Sequence, residues 1–371
     1  MSKYLVYQLV ITGGPCAGKS TCLVELYNKL TDNGFRVIVV PETATEVITA
    51  GISPADLPEH IFQGNIIRNS VAKEMSARAA AEWYSQKSPV VILYDRGIPD
   101  SLAYMSHQNY CIALKPFGLN EYTAREEYDR VFHLVTAAKG AEHAYTTANN
   151  TARRETVEQA RAQDDKTMAA WNGVPSLKVI DNSDKSFEAK VKRLVGEVLG
   201  AVGLPVPTEV EKKYLIEKPS LEDLLKYGRV STKIHQTYLP LHADSMDTER
   251  RVRRCGANNI YAYSYTEKIE LPGQSGRIKR NRNIDHREYQ THIATGIGWV
   301  DKTRESFIRN GQYFKMDTYP YQGWRDRAIL EIELTDLNQS VDLPPFAHVI
   351  ADVTDDKDYR NSHLAKSFMR Q

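Results

Sequence analysis

In the first half of the chain, short runs of aliphatic and β-branched residues alternate with longer stretches whose apolar positions recur every three or four residues. That is the rhythm of strand-helix units around a mostly parallel sheet. The runs predict strands at 7–12, 36–40, 90–94, 130–135 and 177–180, with helices at 21–30 and 183–199. Two prolines and a glycine between 203 and 208 then mark a boundary, dividing the chain into residues 1–203 and 204–371. Beyond it the period changes to two, with Gly, Asn and Asp at the turns and little helix apart from 221–227. This predicts an antiparallel sheet or barrel.

Composition narrows the class. The 371 residues carry 48 Lys and Arg against 47 Asp and Glu, a net charge of +1. No global field draws the protein to nucleic acid or membrane, so any polyanion site must be local. The four cysteines, Cys16, Cys22, Cys111 and Cys255, form no C-x-x-C pair, which fits a reducing compartment and makes zinc a poor candidate. The N-terminus has no basic region ahead of its apolar strand and does not read as a signal peptide. No run of about 18 apolar residues predicts a membrane span. The expectation is a cytoplasmic protein.

The first chemistry lies at Gly13-Gly14-Pro15-Cys16-Ala17-Gly18-Lys19-Ser20, with Thr21 continuing into a helix. It matches G-x-x-x-x-G-K-[ST] and follows an apolar strand, the context a phosphate loop requires. Glycines let backbone N–H groups converge on phosphate oxygens, and the helix N-terminus adds its dipole. Lys19 is placed to reach the β and γ phosphates, and the Ser20 hydroxyl to ligate magnesium or manganese.

Three further segments fall where an open α/β sheet gathers ligands. Glu42 follows the second strand, either as a proton acceptor or as a surface carboxylate at a helix start. Asp95 ends an apolar run and would hold the metal, while the adjacent Arg96 would face phosphate. Arg153 and Arg154, with Arg161 further on, read either as a lid over the phosphates or as an exposed polar helix. Residues 180–182 lie where a purine would rest but show no guanine reader, so GTP and ATP both stay open.

In the order Gly-Gly-Pro-x-x-Gly-Lys-Ser, Pro-Glu-Thr, Tyr-Asp-Arg-Gly, Ala-Arg-Arg-Glu and Ile-Asp-Asn, residues 1 to about 200 resemble the P-loop kinase-like domain of the TRPL translocation defect proteins and of the NadR nicotinamide riboside kinase region. The resemblance implies Glu42 near an acceptor, Asp95 near metal and Arg153 and Arg154 in a lid.

In the second half, strand spacing puts Glu209, Glu211 and Lys213 on one face, Glu331 with Glu333, Arg251 with Arg253, and Lys302 with Arg304. Such a face is usually solvated, but a closed barrel can turn it inward as a polar tunnel. Glu-x-Glu-x-Lys, Arg-Val-Arg, Thr-x-Lys, Lys-x-Arg and Glu-Ile-Glu resemble the CYTH or triphosphate tunnel superfamily across nearly all of residues 208–366. The resemblance implies Glu209, Glu211, Glu331 and Glu333 toward metal, and Lys213, Arg251, Arg253, Lys268 and Arg304 toward phosphate. That superfamily carries an Arg-x-Glu-x-Glu strand where this chain reads His286-Arg-Glu-Tyr-Gln-Thr-His292. In either register a metal-facing carboxylate is missing, so the expectation keeps phosphate binding and puts metal-assisted hydrolysis in question. The basic stretch 276–283 reads as a solvated turn or as a rim for anionic lipid headgroups.

The fold expectation is therefore an α/β P-loop domain with a mostly parallel sheet, followed by an antiparallel β tunnel-barrel (α+β) domain. The two halves in this order resemble the TRPL translocation defect family. The resemblance implies a GTP- or ATP-binding protein that also binds phosphoinositide or polyphosphate, touches membranes peripherally and serves membrane-protein trafficking. A metabolic enzyme is the alternative, either a nucleoside-like kinase using Glu42 as base or a metal-dependent tunnel triphosphatase.

Overall fold

The computed structural model describes residues 4–142, 156–184, 186–204, 210–241, 247–270, 277–335 and 339–368, without the side chains at 210, 247–248, 269–270 and 277–281. The chain divides into two compact units, residues 1–171 with 175–199, and residues 172–174 with 200–371.

The first unit is built in the order β1 (Val6–Gly13), α1 (Lys19–Asp32), β2 (Arg36–Val40), α2 (Thr43–Thr49), α3 (Glu59–Tyr84), β3 (Val90–Asp95), α4 (His107–Leu114), α5 (Glu121–Glu126), β4 (Arg130–Leu134), α6 (Val157–Ala170), β5 (Leu177–Ile180) and α7 (Phe187–Ala201). A 3-10 helix covers Ile98–Tyr104. The five strands are parallel in the order β2-β3-β1-β4-β5. Both faces of such a sheet are covered by helices, which explains why Val90 to Tyr94 read as an unbroken apolar run and are all fully buried. α1 buries Cys22, Leu23, Leu26 and Leu30, one stripe at helical spacing. β1 is central, so the segments leaving β1, β2 and β3 converge at one edge of the sheet.

The second unit contains β6 (Val210–Glu217), α8 (Leu221–Leu225), β7 (Val230–Tyr238), β8 (Asp247–Ala257), β9 (Ile260–Glu270), β10 (Arg277–Asn283), α9 (His286–Ile293), β11 (Gly298–Arg309), β12 (Gln312–Thr318), β13 (Arg327–Leu334), β14 (Val349–Asp352) and α10 (Asn361–Phe368). Its strands form one antiparallel nine-stranded sheet in the order β10-β9-β8-β7-β11-β12-β13-β6-β14. Period-2 alternation separates two faces of β12 and β13, and both faces are buried. Phe314, Met316, Leu330 and Ile332 join Ile216, Leu224, Phe307 and Phe346 in an apolar core. On the other face Lys315, Asp317 and Glu331 are equally shut off, at 4%, 0% and 6% exposure. The charged face is turned inward, not toward water.

Three expectations are corrected here. The stretch 277–283 is not a turn but strand β10, paired antiparallel with β9. The segment 286–292 is helix, not strand. Asp285 caps it by accepting from the Glu288 N–H at 2.7 Å, Tyr289 packs inward at 2% exposure, and Glu288 turns out to Arg282. Neither proposed strand register therefore exists, and Glu288 supplies nothing to the charged face. The second unit also holds more helix than its alternation suggested, because α9 and α10 each present an amphipathic turn or two to the sheet.

Candidate functional site

Strand β1 ends at Gly13, and the chain turns through Gly14 to Gly18 into α1. The turn needs Gly13, at φ +145, because a Cβ there would sit 2.1 Å from the Leu134 carbonyl oxygen. Gly14 is pressed as closely against Asp164, whose Oδ1 would lie 2.6 Å from an added Cβ. Cys16 and Gly18 also adopt left-handed backbone, at φ +55 and +85, giving the curl that aims N–H groups inward.

Above this loop opens a cleft of about 1290 Å³, whose walls include the loop from Pro15 to Thr21, Glu42, Asp95 and Arg96. These sequence-predicted residues are thus brought together, with Gly13 and Gly14 at the base of the loop. Lys19 Nζ folds back to donate to the carbonyls of Gly13 and Gly14, at 3.2 and 3.3 Å. Burial and the neighbouring Arg96 charge lower its pKa to about 8, against the pull of Glu42 and Asp95.

Arg96 follows β3 in left-handed backbone at φ +68, a conformation unusual for a non-glycine residue and often found at functional sites. Its Nε donates to Glu42 Oε1 at 2.6 Å, and Nη1 stands 3.6 Å from Asp100. Burial would raise the Glu42 pKa, but Arg96 and Lys19 outweigh it and hold the group down at about 2. The Thr45 hydroxyl also donates to Glu42. A carboxylate so held is a weak base, and its position suits fixing Arg96. Asp95 differs. Burial outruns Lys19 and raises its pKa, and its Oδ1 is buried with no hydrogen-bond partner among the described residues. An orphaned carboxylate oxygen beside a phosphate loop fits a magnesium ion or its water shell, with the Ser20 hydroxyl as second donor.

The cleft continues past Glu42 between α2, α3 and the 3-10 helix. There Gln63 and Ser101, 8% and 5% exposed, add polar side chains to the lining. Glu74 closes this end, buried to 1% and receiving the Tyr128 hydroxyl at 2.9 Å. Burial pushes its pKa up to about 7.

Arg153 and Arg154 lie outside the described residues. Arg161 on α6 is engaged with the Ala138 carbonyl at 2.6 Å and with Glu142 at 2.9 Å.

In the second unit the strand register gathers most of the expected residues. Glu331 on β13 lies opposite both Lys213 on β6 and Lys315 on β12, and Arg304 on β11 lies opposite Asp317. Lys213 Nζ is 3.2 Å from Glu331 and 3.5 Å from Glu211, and Lys315 donates to Glu333 at 2.5 Å. Arg304 reaches Asp317 at 2.6 Å and Glu331 at 3.4 Å, while Lys302 donates to the same Asp317 at 2.6 Å. Burial would raise the Glu331 pKa, but Lys213 and Arg304 hold it low. Burial raises Glu211, and the Glu331 charge adds to that. Glu211, Glu331 and Glu333, three of the acids expected to face metal, are thus each faced by a cation as well. Among the described residues no group of three or more His, Cys, Asp or Glu is arranged to hold a metal ion. Glu209 lies outside the described residues.

Arg251 and Lys268 sit apart from that cluster, on β8 and β9, sharing Glu249 at 3.0 and 3.3 Å. Arg253 follows on the same face of β8. Sequence reasoning placed Lys302 on a charged strand face with Arg304 but gave it no ligand, and it did not single out Asp164, Lys315 or Asp317. The alternation Phe-Lys-Met-Asp at 314–317 signalled Lys315 and Asp317, whereas nothing local singles out Asp164.

No helix among the described residues is long and apolar enough to cross a membrane. Residues 8–190 match the family described as AAA domain. Comparison with curated proteins gives no match. Among solved structures the chain is similar to one described as the hypothetical protein NE1496, at 28% identity over 43% of this chain and 99% of the other, with a TM-score of 0.32. It is similar also to the inorganic triphosphatase NE1496, at 27% identity over 43% and 96%, TM-score 0.32. A third is the PH1819 protein from Pyrococcus horikoshii OT3, at 18% identity over 35% and 80%, TM-score 0.25. TM-scores of this size do not establish a common fold. The family match and the geometry of the loop agree that the first unit carries an AAA-like P-loop nucleotide-binding domain.

Proposed function

We propose that the first unit binds ATP or GTP with magnesium, and that the charged face of the second unit receives a phosphorylated anion, a polyphosphate or a phosphoinositide headgroup. The observation that carries the first part is the buried Asp95 Oδ1, without a hydrogen-bond partner among the described residues, in the same cleft as Lys19. Lys19 would leave the Gly13 and Gly14 carbonyls for the β and γ phosphates, and loop N–H groups would take their oxygens. Ser20 and Asp95 would hold the magnesium, which neutralises phosphate charge when bound. Glu42 acts here by holding Arg96 toward the phosphates and not by accepting a proton. The second part rests on Lys213, Lys302, Arg304 and Lys315, four cations sharing one inward face. On this reading the protein is a nucleotide-binding module that engages phosphorylated headgroups, peripherally at membranes, in the handling of membrane proteins.

The test is calorimetry with ATP, GTP and tripolyphosphate, together with sedimentation on phosphoinositide liposomes. Failure of both nucleotides to bind the intact chain would remove the first part. Failure of both tripolyphosphate and the liposomes would remove the second.

A second reading is a small-molecule phosphotransferase. It is favoured by the extension of the cleft past Glu42, where the buried polar side chains of Gln63 and Ser101 join apolar Phe62 and Ile66 in the lining. Nucleotide turnover that depends on an added hydroxyl compound, and is lost in Gln63→Leu, would favour it.

A further inference from the structure

Asp164 is a fully buried carboxylate near the middle of α6, 150 residues from the loop it touches. Its Oδ1 accepts the Gly14 N–H at 3.0 Å, the Thr136 N–H at 3.2 Å and a contact from His133 Nε2 at 3.1 Å. Its Oδ2 accepts Lys139 Nζ at 2.9 Å. Burial alone would raise the group's pKa, but His133 and Lys139 hold it well below the usual carboxylate range.

The contacts have a direction. The Gly14 N–H points away from the nucleotide side, into Asp164, so the phosphate-binding N–H groups must come from later in the loop. The segment after β4 is tied to the same hub. The Thr136 hydroxyl donates to the Pro15 carbonyl, and the Ala137 N–H donates to the Cys16 carbonyl at 3.2 Å. Asn182 bonds the Thr136 and Lys139 carbonyls at 2.8 and 2.7 Å. α6 itself is met by the chain arriving from Thr156, its N-cap. One carboxylate therefore joins the phosphate loop, the segment after β4 and α6.

We propose that Asp164 is a positioning residue for phosphate binding. By accepting the Gly14 and Thr136 N–H groups at one oxygen, it sets the curvature of the loop and ties α6 to it, so that α6 and the loop move as one body. The proposal rests on the nucleotide reading of the first unit and goes beyond it.

The Gly14 amide is the readout, because a residue that merely supported the fold would not govern it. In the full chain, titration with Mg·ATP and Mg·GTP is followed by calorimetry and by the ¹⁵N–¹H resonances of the loop. Nucleotide should shift the amides of Gly18 to Ser20 far more than that of Gly14. Asp164→Ala should displace the Gly14 resonance, expose its amide to exchange and weaken both nucleotides tenfold or more. Asp164→Asn retains an acceptor oxygen of the same shape. It should keep the Gly14 resonance near its wild-type position and most of the affinity, and this decides the matter if the alanine variant does not fold. Lys19→Ala separates the two levels of inference. If Lys19→Ala abolishes binding while a folded Asp164→Ala binds within twofold of wild type, Asp164 has no positioning role and the nucleotide reading stands. If Lys19→Ala changes nothing, the nucleotide reading fails first. An Asp164→Asn variant that loses affinity with its Gly14 amide unmoved also overturns the proposal.

Discussion

Glu74 offers a quantitative handle on the first unit, because its carboxyl is buried where it meets the Tyr128 hydroxyl and only a distant arm of Arg78, at 3.4 Å. Replacing it with glutamine keeps the size and an acceptor for Tyr128 but removes the titration. In the unfolded chain the group ionises near 4.5, whereas burial holds it up to about 7 in the folded unit. Between these pH values the unfolded state has released its proton and the folded state has not, so raising pH favours unfolding. The stability Glu74 contributes is full below 4.5 and is lost as pH rises through about 7. A gap of roughly 2.5 pKa units at 1.36 kcal/mol each makes the loss about 3 kcal/mol. Urea unfolding would be followed by far-ultraviolet circular dichroism and by tryptophan fluorescence, since buried Trp171 packs edge-on against Tyr128 at 5.5 Å. Other titrations are common to both proteins and cancel in the difference. Glu74→Gln should therefore gain on wild type by about 3 kcal/mol from about pH 4.5 to about pH 8. A difference that stays flat across that range would refute the assigned burial and its consequence.

Other expectations are simpler to state. Lys19→Ala should weaken ATP and GTP by about 10- to 100-fold, the worth of a charge-assisted bond to phosphate, without altering the melting of the second unit; equal affinity in equilibrium dialysis would contradict it. Asp317→Ala leaves Lys302 and Arg304 buried beside an empty space, and breaking such a pair costs about 3–5 kcal/mol, to be read as a drop in the second unit's melting temperature. A drop within error of zero would mean water reaches that face. Arg304→Met should reduce tripolyphosphate affinity while nucleotide affinity stays put, measured on the same preparation.

What was legible in the sequence follows from how local each signal is. The phosphate loop is read from eight adjacent residues, and the strand on one side and helix on the other follow within a few residues. Asp164 has no such signature. It sits in Ala-Gln-Asp-Asp-Lys, indistinguishable from a solvated helix face, and acquires its role only when the fold brings Gly14 to it across 150 residues. Glu42 was legible as a site residue but not in its partner, because Arg96 is 54 positions away and meets it through a left-handed turn. The segment 286–292 places a single Tyr289 among polar residues, too little apolar pattern to choose a period. Asp285 settles it as a helix by capping, a tertiary-independent cue that strand alignment overrode. Whether charged strand faces turn in or out could not come from alternation at all, since both arrangements share one pattern.

The second unit poses a sharper problem than the first. Its cations are already satisfied, Lys213 by Glu331, Lys315 by Glu333, Lys302 and Arg304 by Asp317. An incoming polyanion must take cations from carboxylates that stay behind in a low-dielectric setting, where an unpaired charge is costly. The inexpensive response is for a carboxylate to take up a proton. Glu331 is held low by Lys213 and Arg304 against its burial, so removal of either cation lets its pKa rise. Binding of tripolyphosphate in metal-free buffer should therefore be accompanied by proton uptake at Glu331 and weaken as pH rises. Calorimetry in buffers of differing ionisation enthalpy measures the uptake directly. In Glu331→Gln the uptake should shrink and the affinity at neutral pH should increase, because the competitor has lost its charge. Binding without proton exchange in both proteins would mean that the anion does not displace these carboxylates, and that Arg251, Arg253 and Lys268 on β8 and β9 receive it instead.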